Sequence, residues 1–265
     1  MNPICVGVDV GASRTKAAVV DLKKELIGYD IRKSGMDFTK TADECLAAAL
    51  KMAGRTPADI VSAVSTGYGR ANVSFTRETK SEIGCHAKGS YLYFPMALTI
   101  IDIGGQDNKV IKIDDLGRRI GFKMNRKCAA GTGAFLEEMA FRLDLKIDEM
   151  NALAKGSKNM VKLGSFCTVF SATEVLENIR NGKRLEDIVK GVYFSMIQRV
   201  MEMDAFTEKV VMTGGVVENN PYIVAMAEEL IGRKIMVSRH PQLAGAIGAA
   251  LYAMDLSALR GPGLR

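Results

Sequence analysis

The sequence predicts an α/β protein made of two similar halves. Two observations lead to this prediction: a repeated glycine hairpin, and an alternation of short apolar segments with longer amphipathic ones. The repeat pairs VDVGASRTKAAVVD, residues 8–21, with IDIGGQDNKVIKID, residues 101–114. In both copies an aspartate and a glycine precede a short polar turn, a lysine and an apolar run that ends in a second aspartate. Each copy is therefore predicted to form a strand, a tight turn and a second strand.

The remaining elements follow from apolar periodicity and from local start and stop signals. In the first half we expect strands at 4–10, 16–21, 25–32 and 60–65, and helices at 40–54 and 81–94. In the second half we expect strands at 98–103, 108–113, 119–124, 209–215 and 234–237. Its helices are expected at 132–144, 172–181, 185–204, 221–231 and 242–254, with an irregular loop at 161–170.

The repeat also predicts where the two halves divide. The first aspartates of the two hairpins are 93 residues apart (102 minus 9). We therefore expect a first domain at 1–96, joined by the C-terminal helix 242–265, and a second domain at 97–241.

The composition limits the possible classes of function. With 48% hydrophobic and 25% charged residues, the chain is typical of a globular protein, and no run approaches the roughly 20 apolar residues that span a bilayer. The N-terminus begins a strand and lacks the features of a signal peptide, so we expect a cytoplasmic protein without a membrane partner. The net charge is +6, but no aromatic residues alternate with the basic ones. We therefore expect an anionic small molecule or an acidic protein as partner, and no nucleic acid.

The two glycine hairpins are candidates for binding a polyphosphate through their backbone N–H groups. The carboxylates of Asp9 and Asp102 could hold a hydrated Mg²⁺ or orient an attacking water. The predicted side-chain donors are Ser13, Thr15, Lys16 and Gln106. A third glycine segment, TGGVVENN at 213–220, joins a strand to a helix and would allow a nucleoside to approach the backbone closely. The alternative is that all three segments are ordinary tight turns.

The chain has five cysteines, Cys5, Cys45, Cys85, Cys128 and Cys167. The odd number and the lack of a CxxC pair argue against a disulfide framework and against a structural zinc site within one chain. We expect the first three to be packed small hydrophobes. His86 follows Cys85, but consecutive residues of a helix do not face each other, so a catalytic pair is not expected.

Cys128 and Cys167 each lie just before a predicted helix. The segment KCAAGTGAFLEE, residues 127–138, is typical of an anion cradle at a helix start, where free N–H groups attract negative charge. A thiol at this place could be a nucleophile, a disulfide partner, a metal or cluster ligand, or a buried small hydrophobe.

The three glycine segments, in this order and spacing, resemble the phosphate-1, phosphate-2 and adenosine motifs of the sugar kinase, Hsp70 and actin ATPase superfamily. The resemblance implies two ribonuclease-H-like domains with ATP and Mg²⁺ in the cleft between them. At 265 residues the chain is short for a sugar kinase or an actin, which leaves little room for inserted subdomains.

A narrower resemblance rests on STGYGR, SEIGCHAKG, IDIGGQDNKVI, NRKCAAGTGAFLE, GSFCTVFSATEV and MTGGVVENN. These segments look like the activator, or component A, of 2-hydroxyacyl-CoA dehydratases and like the ATPase subunits of benzoyl-CoA reductase. That family implies transfer of a low-potential electron, driven by ATP hydrolysis to ADP, to an iron–sulfur acyl-CoA dehydratase or aryl-CoA reductase. The implied electron donor is ferredoxin or flavodoxin.

The resemblance also implies specific site residues. Cys128 and Cys167 would bind one 4Fe–4S cluster shared by a homodimer, or by a heterodimer with a paralogous ATPase subunit. A cluster takes four thiolates and one chain offers two in matched settings. The implied catalytic residues are Asp9, Asp102 and Gln106. The implied nucleotide-binding residues are Gly11, Ala12, Ser13, Arg14, Thr15, Lys16, Gly104, Gly105, Gln106, Gly131, Thr132, Gly133, Gly214, Gly215, Glu218 and Gln242.

The sequence departs from the family pattern at a few positions. Glu218 stands where dehydratase activators often have glutamine, Arg126 replaces a common aspartate, and residues 171–173 read Ser-Ala-Thr where Ala-Glu-Ser is frequent. Two other functions remain open at this point: a small-molecule kinase of the same fold, and a nucleotide-dependent assembly or chaperone module.

Overall fold

The structure, a computed structural model, describes residues 3–164 and 167–260. Its strands, numbered in chain order, are β1 (Ile4–Val10), β2 (Arg14–Asp21), β3 (Leu26–Lys33), β4 (Ile60–Thr66), β5 (Glu78–Thr79), β6 (Leu98–Ile103), β7 (Asn108–Ile113), β8 (Arg119–Asn125), β9 (Val210–Thr213) and β10 (Met236–Val237). Its α-helices are α1 (Phe38–Ala53), α2 (Glu82–Tyr93), α3 (Gly133–Arg142), α4 (Ile147–Gly156), α5 (Thr168–Arg180), α6 (Leu185–Met201), α7 (Gly215–Asn219), α8 (Tyr222–Ile231) and α9 (Ala244–Arg260).

The chain divides into two compact units. The first comprises Met1–Ala97, Ile113–Ile120 and Leu243–Arg265, and the second comprises Leu98–Lys112 and Gly121–Gln242. Each unit has a central sheet with helices packed on it, so the predicted α/β class is confirmed.

The two sheets have the same strand order. The first runs β3-β2-β1-β4-β5, and the second runs β8-β7-β6-β9-β10, with each strand of one sheet matched by its counterpart in the other. The central strand β1 is antiparallel to β2 and parallel to β4, and β6 is likewise parallel to β9. The sequence repeat therefore corresponds to a repeat of sheet topology.

The repeat extends to the hydrogen bonds of the glycine turns. Gly11 N–H donates to the Arg14 carbonyl at 3.1 Å, and Gly104 N–H donates to the Asp107 carbonyl at 2.9 Å. These two bonds join positions that are offset by the same 93 residues as the sequence repeat (104 minus 11 and 107 minus 14). Both predicted hairpin turns are thus formed by the same backbone arrangement.

The second aspartate of each copy closes the next turn along the chain. Asp21 Oδ1 accepts the backbone N–H groups two and four residues later, both at 2.9 Å. Asp114 Oδ1 does the same at 3.0 and 2.9 Å. Aspartate is common at such turns because its short side chain can satisfy nearby backbone donors.

The core of the first unit forms on both faces of β1, which is buried along its whole length. Helix α1 covers one face through Cys45 and its apolar neighbours. Helix α9 lies so close to the other face that a Cβ added to Gly7 would be 2.0 Å from the Ala246 carbonyl oxygen. Glycine at this position of β1 therefore permits the close helix–strand packing. In the second unit, α3, α4, α6 and α8 contribute apolar residues to a core shared with β6 and β9.

Several element predictions need correction. Helix α4 was not predicted, because only Met150 and Ala154 of its residues are fully buried and the apolar signal is correspondingly weak. Helix α5 begins at Thr168, four residues before the predicted start, so the end of the predicted loop 161–170 is helical. Residues 165 and 166 of that loop, and 261–265 of the predicted C-terminal element, lie outside the described residues. The five-residue α7 and the two-residue β5 were also missed.

One segment is more apolar than expected from the sequence. Among the described residues, Pro241–Leu259 is long and apolar enough to cross a membrane by length and composition, with a mean hydropathy of 1.2. The expectation that no segment reaches this level is therefore wrong. However, 61% of the segment is buried within the protein, and it contains most of α9, whose apolar residues pack in the core of the first unit.

Candidate functional site

A lysine–aspartate ion pair lies at the base of the first hairpin. Asp9 in β1 and Lys16 in β2 are directly opposite each other in the antiparallel register, and Lys16 Nζ lies 3.0 Å from Asp9 Oδ2. Asp9 is only 2% exposed, yet its other carboxylate oxygen has no hydrogen-bond partner in the part of the chain that the structure describes. A buried carboxylate oxygen without a partner is costly, which makes Asp9 Oδ1 a candidate ligand for a cation or a bound water.

A glycine in the STGYGR segment makes room for this carboxylate. A Cβ added to Gly67 would lie 2.5 Å from Asp9 Oδ1, and Gly67 has a φ of +90°. Only glycine adopts this conformation readily and also leaves the space that the carboxylate occupies.

The tip of the first hairpin is exposed from Ala12 to Arg14. Thr15 is different, because strand alternation directs its side chain inward, where its hydroxyl lies 3.0 Å from the Ser34 hydroxyl. The Thr15 side chain, predicted as a donor at the turn, is therefore engaged inside the unit, whereas Ser13 remains at the surface.

The second hairpin contains a more extensive charge network. Lys109 is 1% exposed, and its Nζ lies 3.2 Å from Asp102 Oδ2 and 2.7 Å from Asp107 Oδ1. The Thr213 hydroxyl donates to the remaining oxygen of Asp102 at 2.8 Å. A buried ammonium is tolerated when carboxylates surround it in this way. Gln106 is exposed at the tip of the hairpin.

The start of α3 is hydrogen-bonded to the second hairpin. Gly133 N–H donates to the Gly104 carbonyl at 2.9 Å, and Ala134 N–H donates to the Gly105 carbonyl at 2.7 Å. The interpretation of this segment as an anion cradle with free N–H groups is therefore wrong for these two groups, because hairpin carbonyls already satisfy them. The observed arrangement instead connects the hairpin directly to the helix that follows Cys128.

A second contact joins the same two segments. Gly131 has a φ of +81°, and a Cβ added there would lie 2.9 Å from Asn108 Nδ2. Asn108 is 1% exposed, and neither of its side-chain polar atoms has a hydrogen-bond partner within the described residues. Both the backbone conformation and the close approach of Asn108 favour glycine at position 131.

The loop that carries Cys128 is held by Asn125, the last residue of β8. Asn125 Nδ2 donates to the Cys128 carbonyl at 2.9 Å, and Cys128 N–H donates to Asn125 Oδ1 at 3.3 Å. The Cys128 side chain is exposed. In the sequence, the only signal that points to Asn125 is its position three residues before the cysteine.

Cys167 is also exposed, and it is the residue immediately before α5. Helices α3 and α5 pack on each other and form a groove of about 400 Å³. Ala129 and Thr168, which directly follow the two cysteines in sequence, both line this groove. The structure therefore brings the two cysteine segments to the same groove of the second unit.

The other three cysteines are buried, as predicted. Burial raises the pKa of the Cys5 thiol, and it raises the pKa values of Cys45 and Cys85 to about 12. Thiols with such raised pKa values stay protonated at neutral pH, which makes them poor nucleophiles and poor metal ligands. The exposed cysteines are thus the two candidates for cluster binding.

The third glycine segment brings its predicted residues together. Gly214 has a φ of +103°, and its N–H donates to the Pro241 carbonyl at 3.0 Å. A Cβ added to Gly215 would lie 2.8 Å from Gln242 Nε2, and the Gln242 N–H donates to the Glu218 carboxylate at 3.4 Å. This local cluster is the candidate nucleoside end of the site.

Comparison with known proteins identifies the family. The sequence profile of the BadF/BadG/BcrA/BcrD ATPase family matches residues 6–253, which is nearly the whole chain. The chain belongs to this ATPase family. The resemblance found in the sequence is thereby confirmed, as is the prediction of an ATPase.

The relatives include proteins named as dehydratase activators. The 2-hydroxyisocaproyl-CoA dehydratase activator of Clostridioides difficile is 40% identical over 253 residues, which is 94% of each chain. The activator of lactoyl-CoA dehydratase of Anaerotignum propionicum is also 40% identical, over 94% of this chain and 97% of its own. Among solved structures, an activator of the 2-hydroxyisocaproyl-CoA dehydratase from Clostridium difficile with bound ADPNP has a TM-score of 0.92 at 37% identity, covering 99% of this chain and 98% of its own. The predicted fold of two similar domains of the actin and Hsp70 type is confirmed.

Proposed function

We propose that this protein is an activator ATPase that uses ATP hydrolysis to deliver a low-potential electron to an iron–sulfur acyl-CoA dehydratase or aryl-CoA reductase. The observation that carries the proposal is the direct connection between a phosphate hairpin and a cysteine segment. Gly104 and Gly105 accept hydrogen bonds from the start of α3, and the loop entering α3 carries the exposed Cys128. The similarity to named dehydratase activators supports the same conclusion.

Each of the two compact units is one ATPase half in this proposal, and the glycine hairpin of each unit is a proposed phosphate-binding segment. ATP and ADP are the ligands, and the ADPNP bound to the related activator supports this choice. The proposed contacts are those predicted from the sequence: Gly11, Ala12, Ser13, Arg14, Thr15, Lys16, Gly104, Gly105, Gln106, Gly131, Thr132, Gly133, Gly214, Gly215, Glu218 and Gln242. Thr15 would contribute through its backbone, because its hydroxyl is engaged with Ser34.

Asp9 is the proposed residue for Mg²⁺ or for the attacking water. Its Oδ1 is buried without a partner among the described residues, which fits a position next to a hydrated cation. Asp102 accepts from Thr213 and Lys109, so both of its oxygens are already engaged. We therefore assign Asp102 the role of holding the second hairpin in place beside Gln106, and Asp9 the more direct catalytic role.

Cys128 and Cys167 are the proposed cluster ligands. Both thiols are exposed, each directly precedes a residue that lines the same groove, and thiolates are the ligands that iron–sulfur clusters require. A 4Fe–4S cluster supplies one-electron chemistry when bound. One chain offers two exposed thiols, so a second copy or a paralogous subunit must supply the other two. The exposed side chains of Val169 and Phe170, two and three residues after Cys167, fit a surface that a second subunit covers.

Through the hairpin contacts, a change between ATP and ADP could change the position of the loop that carries Cys128. If the Gly104–Gly105 backbone shifts on phosphate binding, the two hydrogen bonds from α3 must shift with it or break. Because Cys128 lies only five residues before Gly133 (133 minus 128), a displacement of the start of α3 would reach the cysteine, while Asn125 keeps the loop attached to the end of β8. The proposed electron donor is ferredoxin or flavodoxin, and the proposed location is the cytoplasm.

Iron analysis of anaerobically purified protein tests this function. We expect about four iron atoms per dimer, which is one 4Fe–4S cluster. Cys128→Ser and Cys167→Ser should each remove the iron while leaving ATP binding intact, because neither thiol lies in a glycine hairpin. Cys5→Ala, which changes a buried cysteine in β1, is the matched control and should keep its iron.

Two results would contradict the proposal. One is a full iron content in the Cys128→Ser, Cys167→Ser double variant. The other is four iron atoms in each monomer, which two exposed thiols cannot hold by themselves.

A further inference from the structure

Positive charge is concentrated in the segment that leads to Cys128. Between residues 116 and 136 the sequence has five basic residues and no acidic one. The five are Arg118, Arg119, Lys123, Arg126 and Lys127. The net charge of this segment is +5 (5 minus 0), whereas the whole chain has a net charge of +6. The remaining 244 residues (265 minus 21) are therefore almost neutral in sum.

Part of this segment forms an exposed patch in the second unit. Strand β8 is at the edge of its sheet, and Phe122, Lys123, Arg126 and Lys127 are exposed on it or directly after it. We call these four residues the basic edge. The basic edge ends at Cys128, whose side chain is also exposed.

Among the described residues, the charges of the basic edge are not neutralised by ion pairs. Within the described chain, no carboxylate lies within 4.0 Å of the amino or guanidinium groups of Lys123, Arg126 or Lys127. The pKa of Asp204 is lowered mainly by its hydrogen bond to Lys112, and to a smaller degree by the charge of Lys123. The Asp204 carboxylate pairs with Lys112 at 3.1 Å and not with Lys123. The patch therefore presents three cations and one half-exposed aromatic ring to the solvent.

We propose that the basic edge is the docking surface for a small acidic electron-transfer protein that reduces the cluster. This inference rests on the proposed function, because it needs Cys128 to be a cluster ligand. One electron passes from the reduced partner to the oxidised cluster, so the partner is oxidised by one electron and no covalent bond forms or breaks. Docking beside Cys128 keeps the path from partner to cluster short.

The chemistry of the patch favours this occupant over others. A second copy of this chain would place like charges opposite each other if it covered the patch around a twofold axis. A long-lived complex with a large enzyme needs an apolar interface core, and Phe122 is the single apolar member of the basic edge. Transient redox partners, in contrast, associate through small, charge-complementary surfaces that speed their encounter.

Charge reversal tests the inference. The test variant is Lys123→Glu, Arg126→Glu, Lys127→Glu, and the probe is a small acidic ferredoxin. Binding of the ferredoxin to the dimer should weaken about tenfold or more, and the salt dependence of its Kd should largely disappear. The matched control reverses Lys155, Lys158 and Lys183, which are equally exposed in the same unit but lie outside the basic edge. The control should bind like the unmodified protein.

A kinetic measurement separates docking from cluster chemistry. Reduction of the cluster by the ferredoxin should slow in the test variant, whereas reduction by the small mediator reduced methyl viologen should not slow. Unchanged ferredoxin binding in the test variant would overturn the inference, and so would an equal loss in the control. Dissociation of the dimer in the test variant, measured by light scattering, would also overturn it, because it would assign the patch to the subunit interface. Binding of a DNA duplex, together with no binding of ferredoxin, would also overturn the inference.

The binding measurement does not need iron. Iron-free protein would therefore contradict the proposed function, while the Kd comparison would still decide whether the basic edge binds an acidic protein.

Discussion

The two glycine hairpins share one backbone design but differ in how fully their charges are paired. In the first, Asp9 is the one carboxylate paired with Lys16 in the part of the chain that the structure describes, and the lysine side chain is 15% exposed. Asp9 Oδ1 has no partner among the described residues. In the second, the Lys109 side chain is 1% exposed and pairs with Asp102 and Asp107. The equivalent turns thus differ: one unit has a carboxylate with an unpaired oxygen among the described residues, which we call open, and the other has a network whose charges are all paired, which we call saturated.

In the proposed function, this difference corresponds to a division of roles between the hairpins. An open, buried carboxylate oxygen can bind a cation or a water, so the first hairpin is suited to chemistry. A saturated buried network resists rearrangement, and Gly104 and Gly105 of the same hairpin are hydrogen-bonded to α3. The second hairpin is therefore suited to holding and transmitting position.

The largest expected effect on stability comes from removing the buried lysine. Lys109→Met would leave Asp102 and Asp107 without their shared cation, and we expect a loss of about 3–5 kcal/mol in the free energy of unfolding, the usual cost of breaking a buried ion pair from one side. Lys16→Met should cost about 1–2 kcal/mol, because water reaches the first pair more easily. Urea denaturation of the two variants measures the difference. Equal losses would show that the two networks do not differ in strength.

The next effect concerns activity and rests on the proposed function. Asp9→Asn keeps the shape of the side chain and removes its charge, so we expect ATP hydrolysis to fall roughly a hundredfold, the scale of one lost electrostatic contact to a transition state. Nucleotide binding should persist, because the turn backbone is unchanged. Asp107→Asn, in the second hairpin, is the control and should retain most of the turnover. Near-normal hydrolysis by Asp9→Asn would remove Asp9 from the catalytic site.

Local features of the fold were predictable from the sequence, because short-range patterns determine them. Both hairpins were predicted at the residues where they form, since the glycine and aspartate of each turn act within a few positions of each other. Helix α4 was missed because its apolar stripe is narrow, and the early start of α5 was missed because Thr168 carries no strong capping signal.

The features that connect the site were not predictable, because they join residues that are distant in sequence. Nothing in the local pattern indicates that the start of α3 donates to the Gly104 and Gly105 carbonyls, about 29 residues earlier (133 minus 104). The same is true of Asn108, which reads as an ordinary strand residue and proves to lie against Gly131. The repeat predicted that the hairpins would be alike, but it could not predict that their surroundings would differ.

The smallest expected effect compares two equivalent buried positions. Thr15 and Asn108 occupy the same place in the repeat (108 minus 15 is 93), and both side chains are buried. The Thr15 hydroxyl is hydrogen-bonded to Ser34, whereas the polar atoms of the Asn108 side chain have no partner in the described chain. Thr15→Val should therefore cost about 1 kcal/mol in the free energy of unfolding, the net value of a typical buried hydrogen bond.

Asn108→Leu should raise the free energy of unfolding or leave it unchanged. Leucine has nearly the same shape as asparagine, and it removes an amide whose burial without partners costs about 1–3 kcal/mol. We expect the variant to be unchanged or more stable by up to about 1 kcal/mol, because the added methyl groups near Gly131 offset part of the gain. Parallel urea denaturation of Thr15→Val and Asn108→Leu measures both effects under the same conditions. A loss of stability in Asn108→Leu as large as that in Thr15→Val would mean that the Asn108 amide is satisfied in the folded protein, and the contrast between the two hairpins would then be limited to their ion pairs.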